Sequence, residues 1–185
     1  MRELTKSECR QLGTPWGEVQ GGREVAPGII KVHTAGHGGH VLDEAAQLAV
    51  RVAVPGSTPW TGTLRYLEED CDWALLALAR PDLFPADCVA EISLHRNSYK
   101  CIPATFWEDP LGVAFIASGE AWRASVAGHW QPMASFSMHG GSTSLRRVGD
   151  GARGVVAGTD CYYERLISPA RFAELGGRIE EPALV

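Results

Sequence analysis

The chain has 185 residues, 45% hydrophobic and 21% charged, with a formal net charge of −5. That length suits one domain and can bury a sizeable core without metal or disulfide staples. The basic residues are scattered, which argues against direct nucleic-acid binding, because phosphate contacts need a basic face. The five cysteines, Cys9, Cys71, Cys88, Cys101 and Cys161, are odd in number and form no CxxC pair. Reduced thiols in a cytoplasm are therefore expected. The N-terminus lacks a signal peptide's apolar stretch, and no apolar run approaches the roughly 18 residues that span a bilayer.

In chain order, residues 1–13 are polar and aperiodic and read as a flexible tail. In "TPWGEVQGGREVAPGIIKVHTA", two strand-like runs flank the turn former "APG", which predicts an extended arm or hairpin. "LDEAAQLAVRV" predicts a helix with Asp43 as its N-cap, followed by the loop "PGSTPW". "LRYLEEDCDWALLALA" reads as the clearest helix. Leu64, Leu67, Cys71, Ala74, Leu75 and Leu78 follow the spacing of a buried stripe, and Pro81 ends it. Another helix is expected from Pro85 through "ADCVAEI".

From about residue 103, "GVAFIAS", "WRASVAG", "MASFSM", "SLRRV", "RGVVAG" and "CYYERLI" read as four to six short antiparallel strands, with "GDG" at 149–151 as a turn. "SPARFAELGG" closes the chain as a short helix, with Ser168 as N-cap, Pro169 in the first position and Gly176–Gly177 as the stop. The expectation is an α+β protein. Residues 14–185 form one domain with a helical half at about 40–100 and a β-rich half at about 103–167 on one continuous core.

Candidate chemistry begins at "TAGHGGH", residues 34–40. His33, His37 and His40 could supply three zinc ligands, but glycine spacers do not preorganise ligands, so no metal or other cofactor is assigned. A strand–glycine–helix layout would let the Gly38 and Gly39 amides face an anion, against the opposing charge of Asp43 and Glu44. The plain alternative is a tight turn in which the glycines supply positive φ and His37 fixes the loop.

The second candidate is the acidic run Glu68, Glu69, Asp70 and Asp72 around Cys71. On a helix, Glu69 and Asp72 would share a face and could meet cationic groups of a partner, bind Mg²⁺ or orient His37, unless they form an ordinary solvated edge. Cys71 lies between aspartates on an apolar stripe, which disfavours a thiolate nucleophile. Six tryptophans are present, and Trp16 and Trp60 occupy Pro/Gly-rich loops as either binding hot spots or plugs over the core. His139 repeats the HGG motif, and the two turns could converge.

"TPWG" at 14–17, "APGI" at 26–29, "TAGHGG" at 34–39 and "EEDCDWALLALARPDLF" at 68–84 together resemble an uncharacterised domain family of bacteriophages and conjugative or integrative elements. The family's residues fall on Trp16, His37, Gly38, Gly39, Glu69, Asp70, Cys71 and Trp73. The chain departs from it at His40, where the family tends to carry an apolar residue. The resemblance implies a genomic setting in which small accessory proteins often oppose host defences. Two functions follow as expectations. One is an inhibitor that binds a host protein complex through Trp16, Glu68, Glu69 and Asp72. The other is a hydrolase or transferase with His37 as general acid or base, oriented by Asp70 or Glu69.

Overall fold

Six helices and two antiparallel sheets organise residues 1–133, 142–158 and 164–180, the part of the computed structural model described here. The protein is α+β, and the chain divides into two compact units, Met1–Glu120 and Ala121–Val185, where one continuous core was expected.

The first unit begins with structure where a flexible tail was expected. Arg2–Glu3 (β1) pairs with a later strand, and Lys6–Gln11 forms α1. The cause is a capping box: Thr5 Oγ1 accepts from the Glu8 amide, and Glu8 Oε2 accepts from the Thr5 amide at 2.7 Å. The short helix then buries Cys9 against Val19, Val32 and Val41.

The expected hairpin is present as Gly21–Ala26 (β2) and Ile29–His33 (β3). The chain continues into Gly38–Leu42 (β4), Glu44–Ala53 (α2) and Tyr66–Glu68 (β5), giving a meander in the order β1-β2-β3-β4-β5. Asp43 caps α2 as expected, with Oδ1 accepting from the Ala46 amide at 2.8 Å.

Strand alternation sorts side chains between two faces. Val32 and Val41 join Cys9, Trp16 and Tyr66 on one face, whereas Ile29, Leu42 and Leu67 join the larger cluster formed with the helices on the other. Those helices are α2, Trp73–Ala79 (α3) and Ala86–Leu94 (α4). Ala74 through Leu78 are all buried, so α3 is apolar all round and lies inside the unit.

Two expectations fail for identifiable reasons. The single helix expected over "LRYLEEDCDWALLALA" is a strand, a turn and the short α3. Leu67 sits at helical spacing from Leu64 and Cys71, but it pairs with His40 on the sheet. "GVAFIAS" and the first four residues of "WRASVAG", whose remainder is a turn, are not strands but parts of one helix, Pro110–Ser125 (α5). Its glycines permit close approach: a Cβ at Gly112 would strike the Phe106 carbonyl, and one at Gly119 the Ser93 hydroxyl.

The second unit holds Trp130–Pro132 (β6), Ser142–Arg147 (β7), Arg153–Ala157 (β8), Pro169–Glu174 (α6) and Arg178–Ile179 (β9), with sheet order β6-β7-β8-β9. Its core stacks Trp130 on Phe172 at 4.1 Å between ring centroids, beside Leu145, Val156 and Ile167. "SLRRV", "RGVVAG" and the "GDG" turn form the β7–β8 hairpin, and Ser168 caps α6 by accepting from the Arg171 amide. Residues 134–138 of "MASFSM", 161–163 of "CYYERLI" and the second HGG motif with His139 lie outside the described residues. No helix among the described residues is long and apolar enough to cross a membrane.

Candidate functional site

The bend in "TAGHGGH" occupies Thr34–His37, before the glycines rather than at them. Thr34 closes it by donating from its amide to the His37 carbonyl at 2.7 Å, while its hydroxyl accepts from the His37 amide at 3.2 Å. Gly38 and Gly39 are already in β4, paired with His33 and Val32, and Gly39 also lies opposite Glu68. The layout for an anion-binding glycine loop is therefore not formed: these glycines are strand residues, not a turn leading into a helix. They serve close approach instead. A Cβ at Gly39 would fall on the Leu67 carbonyl and the Trp16 ring, and one at Gly38 on the Glu69 carboxylate.

Because β4 and β5 are in register, His37 and the acidic run meet. The imidazole Nδ1 lies 3.8 Å from Glu68 Oε1, with His37 exposed and Glu68 only 7% exposed. Glu68 Oε2 accepts from the Asp70 amide at 2.7 Å and the Cys71 amide at 3.3 Å, so the turn after β5 holds this carboxylate in place. Glu69 lies beside it, its amide donating to the Gly38 carbonyl at 3.2 Å. Donor atoms of His37, Glu68 and Glu69 all lie within 4.8 Å of one another.

The remaining expected residues separate. Asp72 is not on an exposed acidic edge. It is fully buried, with Oδ2 accepting from the Trp60 amide at 2.9 Å and Oδ1 from the Cys71 thiol at 3.5 Å. Glu68 is likewise turned inward, leaving Glu69 and Asp70 as the exposed acids of the run. Asp70 contributes its amide to the Glu68 carboxylate, so the carboxylate paired with His37 is Glu68, a partner the helix reading missed. Trp16 is a plug, edge-on to Tyr66 at 6.0 Å, with its Nε1 buried and without a hydrogen-bond partner among the described residues. Trp60 is 73% exposed.

Cys71 keeps its proton: burial first, then the neighbouring Asp72 and Glu68 charges, push the thiol up to about 11. That agrees with the case against a thiolate nucleophile. The three histidines of the motif do not converge. His40 alternates to the opposite face of β4 from Gly39, is buried, and packs against Phe84 at 5.9 Å. Burial, then the charges of Lys31 and Arg23, lower it to about 4. Alternation likewise turns His33 away from the Val32 and Gly39 face.

No curated protein and no solved structure matches the chain. A family model described as a domain of unknown function, DUF7007, matches residues 9–130, reaching beyond the 14–84 stretch that carried the resemblance. With more than half of its 185 residues in that match, the chain belongs to the DUF7007 family.

Proposed function

We propose that the chain is a small accessory protein that acts by occupying a basic surface of another protein complex. The phage and mobile-element setting implied by the resemblance makes a host complex the proposed partner, with inhibition of a defence complex as the outcome. One observation carries this reading: the exposed Trp60 sits on a loop whose backbone is tied to buried Asp72, itself only two residues along the chain from the exposed acid Asp70 and three from Glu69. A large aromatic on an anchored backbone contributes contact area at low entropic cost, and exposed acids steer a cationic partner. Of the expected contact residues Glu69 is kept, while the roles of Trp16, Glu68 and Asp72 in direct contact pass to Trp60 and Asp70, with those three holding the fold.

The test uses the native chain, Trp60→Ala, and the double variant Glu69→Lys with Asp70→Lys as affinity baits in a host lysate. Truncating a hot-spot tryptophan costs about 2 kcal/mol, so the complex retained by the native chain is expected to fall more than tenfold on both variants. Equal recovery on all three baits refutes the reading.

The His37–Glu68 pair supports a second reading, a hydrolase or transferase in which His37 moves a proton to or from an attacking water. The fixed Glu68 carboxylate would orient the ring. Loss of turnover in His37→Ala, with unfolding and partner capture unchanged, would select this reading over the first.

A further inference from the structure

We propose that His37, Glu68 and Glu69 form a binding site for a divalent first-row transition ion, with zinc and manganese as the fitting members. The inference goes beyond both functional readings and depends on neither.

The three donors come from places the sheet holds in register. His37 ends the bend before β4, Glu68 ends β5 opposite Gly39, and the Glu69 amide is tied to the Gly38 carbonyl. Their donor atoms lie within 4.8 Å of one another. Ligands of one zinc ion, each about 2.0–2.2 Å from the metal, sit roughly 3 Å apart, so the set must contract by one to two ångströms. The division of labour suits that contraction. Glu68 is the fixed member, since two turn amides hold its Oε2, while His37 and Glu69 are exposed and free to rotate inward.

Glu68 is 7% exposed; the turn amides of Asp70 and Cys71 take its Oε2, and its Oε1 faces the His37 ring at 3.8 Å. Two amide donors do not neutralise a carboxylate, so a cation held beside Oε1 would offset the cost of keeping this charge in a largely buried side chain. Among the described residues, no Lys or Arg reaches ion-pair distance of Glu68 or Glu69. Two carboxylates and a neutral imidazole balance a dipositive ion. Gly38 is part of the site by what it lacks, because a side chain there would occupy the space of the Glu69 carboxylate.

The donor set selects the ion. An imidazole nitrogen with two carboxylates suits zinc and manganese, whereas magnesium and calcium prefer oxygen alone. Three protein ligands would leave a coordination position for water or for a group of a bound partner.

Calorimetric titration of the full chain with zinc, manganese or magnesium chloride tests the proposal. One zinc per chain is expected, with magnesium at least tenfold weaker. His37→Ala and Glu69→Gln should each weaken zinc at least tenfold, while His33→Ala, whose ring lies over Gly21 on the neighbouring strand, should change it less than threefold. Manganese should broaden the His37 imidazole proton resonances before those of His33. The burden falls on the exposed His37 and Glu69 because Glu68→Gln alters the group that holds the turn. Unchanged zinc affinity in both variants, or no saturable binding by the native chain, overturns the proposal and leaves the partner-binding and acid–base readings standing.

Discussion

Replacing His40 by leucine should remove a specific part of the protein's acid sensitivity. The imidazole is 6% exposed, its Nδ1 has no hydrogen-bond partner among the described residues, and it sits between Leu67 and Lys31 across the strands with the Phe84 ring edge-on to it. Burial first, then Lys31 and Arg23, depress it from 6.5 to about 4, so the fold holds it neutral while the unfolded chain protonates it. Its contribution is complete above pH 6.5 and is lost as pH falls through that value toward 4. Between pH 7.5 and pH 5 this linkage removes on the order of 2 kcal/mol from the unfolding free energy. Urea unfolding followed by tryptophan fluorescence at the two pH values measures it. The native chain should lose about 2 kcal/mol more than His40→Leu, since leucine places an apolar, non-titrating group against Phe84 and Leu67. Equal losses in the two proteins would refute the assignment of that window to His40.

Three further outcomes are expected. Gly39→Ala should lower the unfolding free energy by about 1–3 kcal/mol, because its methyl group meets the Leu67 carbonyl and the Trp16 ring; thermal unfolding measures the change. Asp72→Ala should cost about 1–3 kcal/mol by leaving the Trp60 amide and the Cys71 thiol without their acceptor, whereas Asp72→Asn should recover part of the loss by restoring one. Alkylation of Cys71 by iodoacetamide, followed by peptide mass spectrometry, should rise with pH toward a midpoint near 11; a midpoint near the ordinary 9 would contradict the environment described.

Signals complete within a few residues were legible in the sequence. Asp43 before α2, Ser168 and Pro169 before α6, the "APG" hairpin and the "GDG" turn each contain their own geometric instruction. The same kind of signal was present in Thr5 and Glu8 and was outweighed by the polar composition around them, although their box specifies a helix start on its own. What was not legible depended on distant partners. A three-residue strand such as Tyr66–Glu68 has too few residues to display a period of two, and Leu64, Leu67 and Cys71 supplied an accidental helical spacing. In α5, the glycines that read as breaks between strands instead admit Phe106 and Ser93 to the helix surface, a contact no local pattern encodes.

The site follows the same division. That the His37 bend would lie beside the acidic run was an expectation from sequence, and the structure brings the imidazole to Glu68 and Glu69. The roles within the run were assigned for a helix, where Glu69 and Asp72 share a face. A strand ending in a turn sorts them differently. Glu68, opposite Gly39, turns inward with one oxygen on the turn amides; Glu69 lies beside it in the space Gly38 leaves; Asp70 faces solvent; and Asp72 is buried to hold the Trp60 loop. Four nearly adjacent carboxylates thus separate into a fixed ligand, an adjustable one, a surface charge and a structural acceptor. Backbone pairing makes that separation, so substitutions in β4 and β5 should alter the chemistry of this surface as strongly as changes to the acids themselves.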